Sequence, residues 1–286
     1  MKMNSILSLA IGLLFSGTAV MAAQSDAGKI EFKPSMDLLN TKFMSSKTPE
    51  IRGTLIARGL EYKNENFKGE ESDMEMILID AYGAKTTRVM AGKTLEVEGD
   101  GDKSLMTFLN PKDVKGTKML THSHKGEDDD QWLYLPTIRR VKRISSSNKS
   151  SSFMGSEFSY EDLGSQEVDK YNFKWLKDTT LDSGVKGWIV ERVPKSNSGY
   201  SKMVMTISSK FMNPVKMEYF DRKGELLKIA NFTDFKSYKV GDKTLWRASK
   251  IHMKNVQTKK ESTMEWKKRK LGVNHSARDF KKTSLK

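Results

Sequence analysis

A chain of 286 residues can bury a substantial core, and this one carries a formal net charge of +14 with no cysteine. The missing cysteine excludes disulfides, thiolate chemistry and the lipidated cysteine that a bacterial lipoprotein signal needs at its cleavage site. In an exported chain so much positive charge points to anionic phospholipid surfaces and acidic lipid heads rather than nucleic acid, or simply to a soluble β-rich protein whose lysines keep its edges apart.

The N-terminus reads as a secretory signal peptide. Lys2 gives a positive start, Ile6 to Phe15 an apolar run too short to span a bilayer, and Val20-Met21-Ala22 the small residues of a cleavage site. Cleavage after Ala22 divides the chain into a signal, residues 1–22, and one mature domain, residues 23–286. No later segment approaches the length needed to cross a membrane, so the expectation is an exported, soluble protein.

Pro34 can open a helix, and Met36, Leu39 and Phe43 follow at helical spacing, so residues 34–46 read as an amphipathic helix. Other helical signals are sparse. From about Arg52 the period changes to two. Residues 73–80 place Met74, Met76 and Leu78 on one face and Glu75, Ile77 and Ile79 on the other. Similar runs recur at 86–98, 104–109, 117–121, 131–135, 187–193, 202–207, 215–220, 225–237, 244–256 and 262–268. Turn residues separate them, among them Tyr82-Gly83, Asn110-Pro111, Asp221 to Gly224 and Gly241-Asp242. The pattern predicts a mainly β, antiparallel meander that must close, half-close or split to bury its inner face.

Apart from Met1, Met3 and Met21, the 17 methionines fall in the mature chain, and Met203 shares a strand face with Met205 as Met74 does with Met76. Methionine fills gaps in ordinary cores, but it also suits surfaces that bind varied apolar ligands.

Residues 131–163 form the most distinctive stretch. Trp132 and Tyr134 alternate with Leu133 and Leu135, and Pro136 ends the strand. Arg139, Arg140, Lys142 and Arg143 follow, then a polar run from Ser145 to Ser151, then Phe153, Met154, Phe158, Tyr160 and Leu163. Aromatic surface beside a cationic band suits a ligand with an apolar tail and an anionic or polar head. The stretch can equally be a loop folded over the sheet, its arginines paired with Glu157, Glu161 or Asp162.

Catalytic and metal patterns are weak. His122-x-His124 before the acidic run 127–130 lacks a third ligand at defined spacing, and the acids read as a solvated hairpin tip. Gly99 to Ser104 lacks the glycine a phosphate loop needs before its lysine. Gly155-Ser156-Glu157 is no nucleophile elbow, and the adjacent Glu161 and Asp162 would point to opposite faces of a strand. No enzyme, metal or cofactor is expected. The basic run Lys267 to Lys270 and the pair Lys281-Lys282 read as a charged edge strand and a loose tail, or as a patch that docks on anionic lipid.

The run from Trp132 to Ser145 and the run from Ser152 to Leu163 together resemble the family of outer-membrane lipoprotein-sorting proteins, within the LolA/LolB-like superfamily. Asn110 to Thr117 and Leu271 to Phe280 support the resemblance, which covers most of the mature chain. It implies a strongly curved, incompletely closed antiparallel β-barrel covered by a few helices. It also implies a non-enzymatic periplasmic carrier that holds acyl chains of lipoproteins or other lipids and shuttles them toward the outer membrane. Its partners would be an inner-membrane lipid exporter of the resistance-nodulation-division type and, transiently, an anionic membrane surface. The absence of cysteine matches a soluble shuttle rather than an anchored acceptor. Candidate lipid-binding residues are Met74, Met76, Leu78, Trp132, Tyr134, Phe153, Met154, Phe158 and Tyr160. Arg139, Arg140 and Arg143 are candidates for a head group or a partner. Alternation leaves open which strand face is concave. The alternative is a periplasmic adaptor of an inner-membrane transporter that carries no lipid, which needs a packed interior where a carrier needs an apolar cavity.

Overall fold

Between Thr48 and Asn64 the chain carries its best-capped helix. The Thr48 side chain accepts from the Ile51 N–H, Pro49 occupies the first turn, and Glu50 faces the positive helix start. At the other end Arg247 donates to the Asn64 carbonyl at 3.1 Å, and Lys243 donates to those of Tyr62 and Glu65. This computed structural model describes Leu38 and residues 40–286 apart from Ser183. The expected signal peptide lies outside the described residues, as do Pro34, Met36 and Leu39 of the expected first helix. Of that helix the described residues are helical over α1, Thr41–Ser45. The long helix, α2 (Pro49–Asn64), occupies residues whose pattern suggests the start of strands. Its buried face uses Gly53, Ala57 and Gly59 beside Leu55 and Ile56, so it lacks the regular large apolar residues that announce a helix.

Thirteen strands follow: β1 (Gly69–Ile79), β2 (Lys85–Leu95), β3 (Lys103–Asn110), β4 (Lys118–His122), β5 (Asp130–Leu135), β6 (Arg140–Ile144), β7 (Tyr171–Thr180), β8 (Lys186–Pro194), β9 (Tyr200–Ser208), β10 (Asn213–Asp221), β11 (Leu226–Val240), β12 (Lys243–Asn255) and β13 (Glu261–Leu271). They make one antiparallel sheet in the order β6-β5-β4-β3-β2-β1-β13-β12-β11-β10-β9-β8-β7. The first and last strands pair in its middle, Met76 opposite Met264. The sheet is not closed: β6 and β7 are its free edges, and residues 145–170 run from one to the other.

Neither edge strand stands out in the sequence. β6 reads Arg-Val-Lys-Arg-Ile, short and cationic, as an edge that must not pair with another chain should be. β7 carries Lys174, Lys177 and Asp178 and is backed by α2, where a Cβ on Gly53 would stand 2.7 Å from the backbone nitrogens of Lys174 and Trp175. Two sequence expectations are corrected here. β13 is not an edge strand but lies between β1 and β12, although its basic run pairs only with β1 because the register with β12 ends at Glu265. The C-terminal segment is not loose: Phe280 and Leu285, each 1% exposed, pack on Leu120, Trp132 and Tyr134.

Candidate functional site

Registered pairing turns single residues of the second half into rows across one sheet face. Val190 stands opposite Met205, Met205 opposite Met217, Met217 opposite Ala230, and Ala230 opposite Met253. All five are buried in the main core cluster. A parallel row joins Phe232, Ile251, Met264 and Met76. On the other side lies a polar row: Arg192, Met203, Tyr219, Lys228 and Asn255.

Between these rows and α2 is a cavity of about 780 Å³. Met205, Met217, Met253, Phe232 and Ile251 line its apolar side, and Ala57, Leu60, Glu61 and Asn64 line it from α2. Phe158, Asp162, Gln166 and Val168 of the crossing segment and Arg192 of β8 complete the wall. Glu96, Glu98, Asp100 and Asp102, from the β2–β3 turn, give one part an acidic lining. Burial pushes the Asp102 carboxyl up to about 7; nearby Glu167 and Glu96 act the same way, against a hydrogen bond from the Val97 N–H. Asp100 is held below the usual carboxylate range by the Gly101 N–H and by His124. Burial also raises Glu167.

The crossing segment is pinned rather than loose. Lys228 Nζ donates to Asp162 Oδ2 at 2.6 Å and to the Glu157 carbonyl at 2.9 Å. Tyr200 donates to Asp162 Oδ1, the Ser159 N–H to Oδ2, and Asn255 to Glu157. Phe153 is fully buried, its ring 5.8 Å from that of Phe108 and 5.6 Å from that of Tyr160. The segment therefore does fold onto the sheet. Its acids, however, meet Lys228, Asn255, Ser198 and the Gly199 N–H rather than arginines. The acidic run read as a solvated tip also binds across the gap: Asp129 pairs with Lys170, and Asp128 with Lys149 at 2.8 Å.

A model of an uncharacterized protein family matches residues 100–286, more than half of the chain. A solved domain from Vibrio parahaemolyticus, described as that of an outer membrane lipoprotein-sorting protein, is 45% identical over 82% of this chain and 98% of its own, with a TM-score of 0.78. The chain belongs to that lipoprotein-sorting family. A DUF1329 family protein from Desulfovibrio piger matches at 27% identity over 84% of this chain and all of its own, again with a TM-score of 0.78. A LolA superfamily protein from Nitrosomonas europaea, 16% identical over 80% of this chain and 97% of its own, shares the fold at a TM-score of 0.63. No curated protein matches the chain.

Within this member of the lipoprotein-sorting family the apolar sequence-derived candidates fall in three places. Met74 and Met76 are buried in the main cluster, with Leu78 half-buried against it. Phe153, Phe158 and Tyr160 are buried in the crossing segment, with Met154 half-buried beside them, and of the apolar candidates Phe158 lines the cavity. Trp132 and Tyr134 lie in a separate cluster beneath Phe280 and Leu285, while Leu133 between them joins the main cluster. Arg139 and Arg140 are exposed on the β6 side, and Arg143 meets Asp130 at 2.5 Å; none of the three lines the cavity.

Met217, Met253, Phe232, Ile251 and Arg192 line the cavity without having been singled out from the sequence. The signal for Arg192 is present in Trp188-x-Val190-x-Arg192, a cation at the next position of an apolar strand face. Met217 and Met253 become a site only through register with Met205, which no single strand reveals. His122 Nε2 donates to the Phe280 carbonyl and His124 meets Asp100, and among the described residues no three ligating side chains gather for a metal ion.

Proposed function

We propose that this chain is a periplasmic carrier that holds acyl chains of lipoproteins or other lipids in the cavity under α2. The observation that carries the reading is the cavity itself, about 780 Å³ against an apolar row that carries Met205, Met217 and Met253. Its volume falls within the roughly 300–1,000 Å³ usual for small-molecule sites. Each buried methylene is worth about 0.8 kcal/mol, so a 16-carbon chain leaving a membrane must find ~12 kcal/mol elsewhere. Flexible thioethers can fit differing chains and still release them.

On this reading residues 23–286 act as one domain behind a cleaved signal, and the protein works by binding rather than catalysis. Met74, Met76, Leu78, Phe153 and Tyr160 support the apolar interior around Phe158. The cargo moves toward the outer membrane after delivery by an inner-membrane lipid exporter. Arg139, just before β6, and Arg140 and Arg143 on it are exposed and are the proposed contacts for that partner or for an anionic membrane surface. An adaptor that carries no lipid has no use for a cavity of this size.

Native mass spectrometry of the mature protein, taken from its own periplasm without detergent, tests the reading. Discrete added masses of lipids or acylated peptides are expected. A clean apo mass that persists after incubation with host membranes would overturn it.

A further inference from the structure

Two cations are buried in the polar row of the sheet, and they are provided for differently. Lys228, 3% exposed, has the Asp162 carboxylate at 2.6 Å and does not line the main cavity. Arg192, 4% exposed, lines it. A buried guanidinium ordinarily meets a carboxylate or phosphate across its planar fork, and a buried charge left uncompensated is costly.

Among the described residues Arg192 has no such partner. Its hydrogen bonds all leave Nη2, toward Gln166 Oε1 at 2.7 Å and the sulfurs of Met203 and Met217 at 3.3 and 3.4 Å. Thioethers are weak acceptors, and Nε is buried with no partner at all. The guanidinium lies 4.5 Å from the centre of the Tyr171 ring, and Tyr171 in turn donates to Gln166. Stacking and a shared amide orient the group without neutralising it.

We propose that Arg192 is the head-group anchor of the cavity, receiving the carboxylate or phosphate of an anionic acyl amphiphile. This deepens the carrier reading and rests on it. Val190, Met205 and Met217 begin the apolar row two residues along their strands from the polar row, about 7 Å away. A head on Arg192 therefore sets the first methylenes over Met205 and Met217, and the chain continues toward Met253, Phe232 and Ile251.

The other charges facing the cavity agree. Asp162 is held by Lys228, and Glu61 by Arg58 at 2.8 Å. Glu96, Glu98, Asp100, Asp102 and Glu167 repel an anion that stops among them, and Lys125, the other cation among the lining residues, lies close enough to Glu167 to favour its charged form. The head is thus favoured at Arg192.

The test uses the fluorescent probe 11-(dansylamino)undecanoic acid and its uncharged methyl ester, titrated into the mature protein and its Arg192→Met and Arg192→Lys variants. Wild type should bind the acid at least about tenfold more tightly than the ester. Arg192→Met should lose that preference through the acid alone, with a ligand-free thermal midpoint equal to or above wild type. Arg192→Lys, which keeps the charge, should retain part of the preference and serves if Arg192→Met does not fold. Displacement by hexadecanoate or by dioleoyl phosphatidate supports the proposal and assigns the head as carboxylate or phosphate. Equal binding of acid and ester by wild type overturns the anchor and leaves the carrier reading standing. So does an unchanged ratio in Arg192→Met, or a fall in its midpoint with equal loss of both ligands. Displacement by inorganic phosphate as effective as by the lipids overturns it in favour of a free-anion site. If neither probe binds and the native mass is apo, both readings fail.

Discussion

Lys228 Nζ stands 2.6 Å from Asp162 Oδ2, with both side chains about 95% buried, and this pair fastens the segment joining the two free edges to β11. Desolvating two charges is expensive, and removing one partner strands the other. Lys228→Met or Asp162→Ala alone should therefore cost ~3–5 kcal/mol. The combined Lys228→Met/Asp162→Leu variant should recover much of that loss. Urea denaturation of the three variants checks it; equal losses in all three would show that packing of the segment, not the stranded charge, sets the cost.

At Gly53 α2 lies against β7 with no room for a Cβ beside the backbone of Lys174 and Trp175. In a free helix Gly53→Ala would stabilise by about 1 kcal/mol. Here the added methyl must push α2 off the sheet, and overpacking of this kind costs ~1–3 kcal/mol. The net expectation is a lower thermal midpoint and earlier proteolytic cleavage within residues 49–64. A raised midpoint would mean that α2 lifts without penalty.

Most strands were legible because one face of each is buried and the alternation of Met74, Met76 and Leu78, or of Met203 and Met205, records it. What the sequence hid has physical causes. β6, a free edge, has cations at three of its five positions, and α2 meets β7 at Gly53, which carries no hydrophobic signal. The tail hid its anchors too, since Phe280 and Leu285 sit among lysines and gain meaning only against Trp132 and Tyr134. The cavity was legible only as a surplus of methionines on strand faces. Its floor depends on the pairing of Met205 with Met217 and of Ala230 with Met253, which is a property of register. Arg192 breaks an apolar face, the local kind of inconsistency that functional sites produce.

Asp102 gives the protein a pH-dependent weakness. Its folded value, about 7, lies above the ordinary 3.8, so the folded state holds this proton more tightly than the unfolded one. Stability from this group is therefore fully present below about pH 4, declines as pH rises toward 7, and is absent above it. A shift of this size corresponds at most to about 4 kcal/mol, and water entry and relaxation reduce it to ~1–2 kcal/mol. Asp102→Asn keeps an acceptor for the Val97 N–H and removes the charge. It should raise the thermal midpoint at pH 8 and leave it unchanged at pH 4. An equal gain at both values would assign the effect to something other than ionisation.

Arg139 and Arg140 form no ion pair among the described residues, and Ile138 beside them is 50% exposed. Arg143, by contrast, is held by Asp130, so reversing its charge would set two carboxylates together and disturb β5 and β6. Arg140→Glu should change the thermal midpoint very little, since exposed substitutions of this kind fall within about 0.5 kcal/mol. A cation near an anionic bilayer is worth about 1 kcal/mol, and reversal adds a similar repulsion. Arg140→Glu should then weaken cosedimentation with phosphatidylglycerol-containing vesicles roughly tenfold or more, with the difference shrinking as salt is raised. Transfer of bound lipid to those vesicles should slow in parallel, while probe binding in the cavity stays at the wild-type level. A large drop in the midpoint instead would make Arg140 part of the structure of the β6 edge, and unchanged vesicle binding would move the membrane contact elsewhere on the protein.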